Sequence, residues 1–532
     1  MGLRWPTLSR TPGCSWNTFL LCLPVLWAVF VYYNEVLTFR FATQRCHWPD
    51  IDRKVTSLVV PSASDVPVYR IAIVADPQIT DQYSYDQTGL RLSLTNFITD
   101  QYARKNYWYL ESLQQPDMVI ILGDLFDGGR HWGDDQWYTE LKRFRRIFRL
   151  PVGSVGTDRP LGSPSPAGAD RGSTPPTFRY VVGNHDIGVS QSVILPALTR
   201  FQRVFGPVNY RLTVANHTLV ILDDLSFGNT VLPELSRNTT RFLDEVTTES
   251  DSTLRLLFTH IPLYRPDGTD CGPRRHNSTP INQESGFQYQ NLVLEEDTAT
   301  ILNKLQPAVV FTGDDHDQCL VHHELPGPPP RRTPEYTVGS FSMAGGNMFP
   351  SYTLLTLTTS SQATFLSNSN ATWATQLCEL PSQVLIYIAY ALTLVLTLAL
   401  LLWRTFVAVR YQSDGKLTDR YQLAAVERIN PTLDTAGVRI SVDPGTSYGH
   451  SPASPDCQPF REAKDDDHNS LASDDEASVS EEDPADYIYQ HPRQIILRRA
   501  FLIQWARAFG WALARVAVFP VITFVACTFY FW

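Results

Sequence analysis

The chain has 532 residues, of which 43% are hydrophobic and 18% charged, enough apolar material for a sizeable core and enough length for more than one domain. Its formal net charge of −10 argues against a nucleic-acid binder, because phosphate contacts need a basic face. Much of that acid lies in residues 465–486, a run without Lys or Arg, so net charge says little about an active site.

Residues 16–36 (WNTFLLCLPVLWAVFVYYNEV) are uncharged until Glu35 and are about long enough to cross a bilayer as a helix. A cleaved signal peptide would have a shorter apolar core ending at small residues, whereas this run ends Val-Tyr-Tyr-Asn. The reading is an uncleaved signal anchor behind a cytosolic segment, 1–15. Residues 384–403 form a second uncharged run, followed directly by Arg404 and Arg410. A third, 509–532, is interrupted by Arg515 and Pro520, so a spanning helix and an interfacial amphipathic helix compete there. Basic residues cluster at 4–10, 404–428 and 493–507, and with these cytosolic the positive-inside rule puts 37–383 in the lumen. The sequons at Asn216, Asn238, Asn277 and Asn370 all fall in that segment. So do Cys46, Cys271, Cys319 and Cys378, which in an oxidising compartment form two disulfides by any of three connectivities or remain buried thiols. Cys271 and Cys319 follow two of the ligand-bearing strands described below, so a disulfide between them would fix both loops.

Within the lumenal segment, Leu90, Leu94, Phe97, Ile98 and Tyr102, then Tyr109, Leu110 and Leu113, have helical spacing across 90–114. Residues 208–223 read as a hairpin turning near Asn216. The Pro/Gly/Ser/Thr-rich stretch 151–177 reads as a mobile insertion. The segment 404–508 reads as cytosolic, and its polar, acidic part 411–490 as disordered.

Five short apolar runs end in metal-binding residue types: IAIVADPQ (71–78), MVIILGD (118–124), FRYVVGNHD (178–186), LRLLFTH (254–260) and AVVFTGDDH (308–316). Each reads as a buried strand, and in an α/β sheet the residues after such strands line one edge, where ligand sites form. A lone Gly-Asp after a strand is usually a plain turn. Gly183-Asn184-His185-Asp186 and Gly313-Asp314-Asp315-His316-Asp317 are far more specific, the second because its repelling carboxylates invite a cation. Carboxylate, amide and imidazole donors without thiolate suit divalent Mn, Fe or Zn. Two such ions generate hydroxide near neutral pH and clamp phosphoryl oxygens, which makes a phosphate ester the natural substrate class.

The ordered series Asp76-x-Gln78, Gly123-Asp124, Gly183-Asn184-His185-Asp186, His260 and Gly313-Asp314-x-His316 resembles the calcineurin-like metallophosphoesterase superfamily over about residues 69–357. The usual pattern has Asp-x-His first and Gly-His-x-His last, where this chain has Gln78 and Asp314. Those departures are shared with a subgroup it resembles closely, the membrane-bound enzymes that remove ethanolamine phosphate from mannoses of GPI anchors in the ER and Golgi. The runs Ala-Asp-Pro-Gln (75–78), 123–130, 259–265 and 313–319 also resemble that subgroup. The resemblance implies a four-layer αββα sandwich in the α/β class, flanked by transmembrane helices and a disordered cytosolic segment. It implies that Asp76, Gln78, Asp124 and His316 hold one divalent ion, and that Asp124, Asn184, His260 and Asp314 hold a second, with Asp124 bridging. His185 would protonate the leaving oxygen and Asp186 would orient that imidazole. The neutral Gln78 and anionic Asp314 shift metal preference towards manganese. GPI-anchored proteins or the GPI lipid would be the substrate, at an ER or Golgi membrane. Arg130, His131, Trp132, Tyr264 and Arg265 are expected near the site rim, to contact sugar or phosphate or to serve as plain surface. Two rivals remain: the same fold acting on another phosphate ester, and a cargo-sorting adaptor with a vestigial site, against which stands a full set of donor residues.

Overall fold

The computed structural model describes residues 16–49, 68–150, 175–248, 253–327, 330–358, 372–429 and 492–531. The expected insertion at 151–177 lies outside the described residues except for its end, where Thr177 begins a strand. Two compact units divide the chain, one of Met1–Leu394 with Val516–Trp532 and one of Val395–Arg515.

In the first unit, an apolar helix α1 (Trp16–Tyr32) runs through a π-helical turn, Tyr33–Leu37, into α2 (Thr38–Arg45). The helix thus passes the expected end of the anchor at residue 36. It does so because Glu35 is buried against Lys105 as an ion pair, and the Tyr390 hydroxyl donates to its other oxygen at 2.9 Å. The layered part opens with strand β1 (Val68–Val74), then α3 (Gly89–Tyr109), continued by a π-helical turn over Leu110–Gln114, then β2 (Met118–Leu122) and α4 (Asp134–Ile147). There follow β3 (Thr177–Val181), the short α5 (Asn184–Ile187), α6 (Leu195–Phe205), and the predicted hairpin of β4 (Tyr210–Val214) and β5 (His217–Ile221). Next come α7 (Pro233–Thr248), β6 (Leu254–Phe258), a two-residue ribbon of β7 (Ser285–Gly286) and β8 (Tyr289–Gln290), α8 (Glu295–Leu305) and β9 (Val309–Thr312). Strands β10 (Cys319–Leu325), β11 (Arg331–Thr337), β12 (Ser351–Thr358) and β13 (Trp373–Glu379) complete it.

Two sheets form, ordered β13-β12-β1-β2-β3 and β10-β11-β9-β6-β5-β4. Inside each, the strands that end in candidate ligands are parallel neighbours: β1 with β2 and β2 with β3, and β6 with β9. Alternation along the strands divides the core. Ile71, Ile73, Ile120 and Leu355 from the first sheet meet Ile221, Leu256, Phe258 and Phe311 from the second in one buried cluster. The intervening Ala72, Val74, Val119 and Ile121, and on the other side Leu257 and Val310, point outward into a second cluster with the helices. Fully buried strands read as continuous apolar runs for this reason. The single strand edge expected from the sequence is therefore two adjacent edges, because the five runs divide between two stacked sheets.

Cys46 pairs with Cys378, and Cys271 with Cys319, which settles the connectivity.

Beyond β13, helix α9 runs Gln383–Ile429 and α10 runs Pro492–Tyr530. Pro520 does not end α10, which is long and apolar enough to cross a bilayer over Arg498–Tyr530, as are Thr18–Arg45 and Gln383–Gln412. Helix α9 also corrects the expected disordered segment 411–490, whose first part, to Ile429, is helical. The remainder, 430–491, lies outside the described residues. In the second unit these helices touch one another, with Phe406 edge-on to Phe501 and the Trp505 indole donating to the Thr405 hydroxyl at 3.1 Å.

Candidate metal centre

The ends of β1, β2, β3, β6 and β9 carry the predicted residues to one place. Asp76, Asp124 and His260 present ligand atoms all within 4.8 Å of one another. His260 Nε2 lies 3.3 Å from Asp124 Oδ1, 3.5 Å from Asp314 Oδ1 and 3.2 Å from Asn184 Oδ1. Gln78 lies against the other oxygen of Asp124, Nε2 to Oδ2 at 3.0 Å. The Asp314 amide donates to both oxygens of Asp76 at 3.1 Å.

Both imidazoles are aimed by their back nitrogens. His260 Nδ1 is 2.7 Å from the Leu122 carbonyl, and His316 Nδ1 is 2.8 Å from that of Gly345. Each carbonyl accepts a hydrogen bond from Nδ1–H, which leaves Nε2 as the lone-pair nitrogen facing inward, as metal-binding histidines require. His316 Nε2 is buried with no hydrogen-bond partner, although buried polar atoms are almost always paired. An orphaned imidazole nitrogen beside buried carboxylates fits a cation better than any apolar filling.

Electrostatics point the same way. Burial, with the neighbouring Asp124 and Asp314 carboxylates, pushes the Asp76 carboxyl up to about 7 against the pull of His316 and His260. Burial also acts to raise Asp124, but His260 and His185 outweigh it and hold Asp124 below the usual carboxylate range. A shared cation would relieve the crowding at Asp76 and replace the proton that His260 otherwise keeps.

The backbone is strained where the ligands sit. Asp76 (φ 46°), Gln78 (28°), Asp124 (47°), Asp314 (67°) and His316 (68°) all adopt the left-handed region that side chains avoid. Such strain costs about 1–3 kcal/mol per residue and collects at functional sites. The two glycines before the ligands are needed for space. A Cβ on Gly123 would lie 2.3 Å from His260 Nδ1, and one on Gly183 would lie 2.1 Å from the Asp124 amide nitrogen.

His185 stands beside this cluster. Its amide donates to Asp124 Oδ1 at 2.8 Å, and its Nδ1 meets the Asp127 carbonyl at 2.6 Å and the Asp127 carboxylate at 3.1 Å. Burial works against protonating it, but Asp124 and Asp127 prevail and raise it to about 9. Its Nε2 is thus the nitrogen that can give a proton to a leaving oxygen. The carboxylate beside the His185 imidazole is that of Asp127, where Asp186 was expected. Asp186 is turned the other way, its carboxylate accepting from the amides of Leu125, Phe126 and Gly183, so it ties the β2 and β3 loops together.

Two more residues escaped the sequence reading. The Gln288 carbonyl accepts from Asn184 Nδ2 at 3.2 Å, which turns the amide oxygen of Asn184 towards His260. The Gln288 side chain accepts from Arg130 Nε at 3.1 Å, while Arg130 Nη1 donates to the Asn184 carbonyl at 2.8 Å. Asp224 accepts from the amides of His260 and Ile261 and so fixes the end of β6. A signal for Asp224 existed: HTLVILDD (217–224) is a sixth apolar run ending in acid, overlooked because it closes the hairpin. Of the expected rim residues, Trp132 and Arg265 are buried. Trp132 packs edge-on against Phe126, and Arg265 pairs with the buried Glu335 at 2.7 Å behind the Cys271–Cys319 disulfide.

The family model for calcineurin-like phosphoesterases matches residues 69–318. Cell division control protein 1 of Saccharomyces cerevisiae is 34% identical over 364 residues, 67% of this chain and 68% of that one. Metallophosphoesterase 1 of Rattus norvegicus is 26% identical over 64% of this chain and 81% of its own, and the Drosophila melanogaster homolog is 25% identical over 63% and 83%. The chain belongs to the calcineurin-like phosphoesterase family. It is a hydrolase of phosphoric esters that uses divalent metal ions, and its three long apolar helices allow membrane association.

Proposed function

We propose that this phosphoesterase is a manganese-dependent phosphodiesterase that removes ethanolamine phosphate from a mannose of GPI-anchored proteins or the GPI lipid, in the lumen of the ER or Golgi. The observation that carries this reading is the spelling of the ligand set. Gln78 and Asp314 stand where most of the superfamily has histidine, within runs that resemble the GPI-trimming subgroup. An added carboxylate and a neutral amide oxygen make the donor set harder, which favours manganese over zinc or iron.

The anchors support a lipid-linked substrate. Val36 near the end of the first apolar helix, Pro381 just before the second and Phe531 at the end of the third all touch α3, through Tyr109, Tyr102 and Trp108 respectively. Those are the ends that alternate crossings put on the catalytic side when the basic clusters face the cytosol. Two disulfides fit an oxidising lumen.

In the reaction, Asp76, Gln78, Asp124, Asn184, His260, Asp314 and His316 would hold the two ions. When bound, these supply charge for the phosphoryl oxygens and acidify water. His185 Nε2 gives its proton to the mannose oxygen as it leaves, and Asp127 keeps the imidazole protonated and aimed. Arg130, held by Gln288 and the Asn184 carbonyl, adds a fixed positive charge beside the cluster.

Mass spectrometry of GPI glycans from cells lacking the protein tests this. Extra ethanolamine phosphate on a mannose, cleared by wild type and not by His185→Ala, is the expected result. Unchanged glycans, with active, metal-loaded protein restored, would assign the site to another phosphodiester.

A further inference from the structure

Helix α3 is covered along only half of one face. Positions 90, 94, 97, 101, 105 and 108 are spaced three or four apart and lie on one side of the helix. At the C-terminal half the ends of the apolar helices cover that side. Lys105 pairs with Glu35, the Tyr109 hydroxyl donates to the Val36 carbonyl at 3.3 Å, and Trp108 meets Tyr530 and Phe531 edge-on at 5.8 and 5.7 Å. Towards the N-terminus the same side is bare and apolar. Leu90 is 89% exposed, Leu94 60% and Phe97 38%. Tyr83 and Tyr85, in the loop that leads into the helix, are 60% and 49% exposed, and Arg91 is exposed among them.

Single exposed leucines are ordinary, but a contiguous apolar strip marks a contact surface. Here the covered half names the occupant. Two helices fit to cross a bilayer end on this face, Pro381 before the third meets the neighbouring Tyr102, and the uncovered part begins about 12–17 Å further along the same helix. A face that continues from the ends of membrane spans meets the leaflet they emerge from. Leucine and phenylalanine flanked by tyrosine and arginine is the composition of a segment seated at the headgroup boundary. We propose that the Leu90–Leu94–Phe97 face of α3, with Tyr83 and Tyr85, is a membrane-contact surface that rests in the leaflet on the catalytic side.

This proposal rests on reading the apolar helices as anchors. It bears on the active site through one link: the Tyr85 hydroxyl donates to the Ala344 carbonyl at 3.0 Å, and the adjacent Gly345 carbonyl aims His316. Seating the strip in lipid therefore holds the His316 side of the centre close to the membrane surface, where a lipid-linked phosphodiester is presented.

The test uses the full chain in nanodiscs of phosphatidylcholine and phosphatidylinositol. A benzoylphenylalanine replacing Phe97 should crosslink to lipid on irradiation at least about ten-fold more than one replacing the exposed Arg237 on α7. Adding Leu90→Asp with Leu94→Asp should cut those lipid adducts roughly ten-fold, the loss expected for removing one to two inserted leucines. Hydrolysis of the soluble ester bis(p-nitrophenyl) phosphate should stay unchanged, which shows that the fold is intact. Lipid adducts at Phe97 no more abundant than at Arg237 would overturn the proposal, as would adducts chiefly to a second copy of the chain. The crosslink does not depend on which phosphodiester is cleaved, so unchanged GPI glycans beside strong lipid adducts would sink the substrate reading alone.

Discussion

At the metal centre the side chains are polar, buried and mounted on left-handed backbone. On the C-terminal half of α3 buried tyrosines stand among buried Gln101, Arg104, Lys105 and Asn106, all mounted on regular helix. Asp76, Asp124 and His260 sit together where a hydrophobic core would be more stable, and five ligand positions carry strained φ values. Tyr102, Tyr107, Tyr109 and Leu110 bury their rings and side chains with no such strain. The charged pairs there, Lys105 with Glu35 and Asp100 with Arg143, are closed on themselves, whereas the carboxylates of the metal centre are left short of positive charge. Changes at the centre should therefore cost activity and little stability, and changes on α3 should do the reverse.

The largest expected effect is at Asp124, the residue that touches His260, Gln78 and the His185 amide together. Asp124→Asn should lower turnover by about three orders of magnitude and remove both ions, as read by metal analysis of the purified protein. Unchanged metal content would contradict the bridging role. On α3 the corresponding change is Lys105→Met, which leaves Glu35 buried without its partner. A broken buried pair costs about 3–5 kcal/mol, so denaturant unfolding in detergent should show a loss of that order. Activity per folded molecule should stay the same. Pairing it with Glu35→Gln should recover most of the loss, and failure to recover would mean that Lys105 acts through other contacts.

These two regions also differ in how plainly the sequence shows them. The centre was legible because its chemistry is local: each ligand lies one to five residues beyond an apolar run, as in Val-Val-Gly-Asn184 and Phe-Thr-His260. The layered α/β fold followed from the same runs with the resemblance. What the sequence did not show depends on contacts distant along the chain. Asp127 and Asp186 each lie close in sequence to His185 or Asp124, and only the turn geometry decides which carboxylate meets the imidazole. Gln288 reaches Asn184 across 104 positions from a loop with no motif of its own. Glu35 looked like the end of an apolar helix because its partner, Lys105, is 70 residues away.

A smaller effect lies at the edge of the centre. His185 is raised to about 9, above its ordinary value near 6.5, because Asp124 and Asp127 outweigh the burial that opposes its charge. A raised histidine is protonated in the folded protein throughout the neutral range. Its ion-pair contribution to stability is complete below about 6.5 and lost as pH rises through about 9. Activity that needs the proton should therefore hold through neutral pH and fall on the alkaline side, at or below about pH 9, since bound cations act to lower it. Asp127→Asn removes one of the two carboxylates, so the alkaline limb should move down by about one unit. Turnover near pH 8 should fall about ten-fold or more with metal content unchanged. A limb that stays in place would return the orienting role to another group.

The smallest expected effect separates support of the site from support of the fold. Gln288 is buried with φ 65°, its side chain holding Arg130 and its carbonyl holding Asn184. Gln288→Gly deletes the first contact and keeps the second, because glycine retains the carbonyl and adopts that φ without strain. Losing a hydrogen bond to a charged donor is worth about 1.5 kcal/mol, so kcat/KM should fall about ten-fold. Relief of the left-handed strain, about 1–2 kcal/mol, acts in the opposite direction on stability. Tm should therefore hold steady or rise while activity falls, an opposition that a merely structural loop cannot produce. A drop in Tm together with activity would make Gln288 a packing residue and leave Arg130 positioned by the Asn184 carbonyl alone.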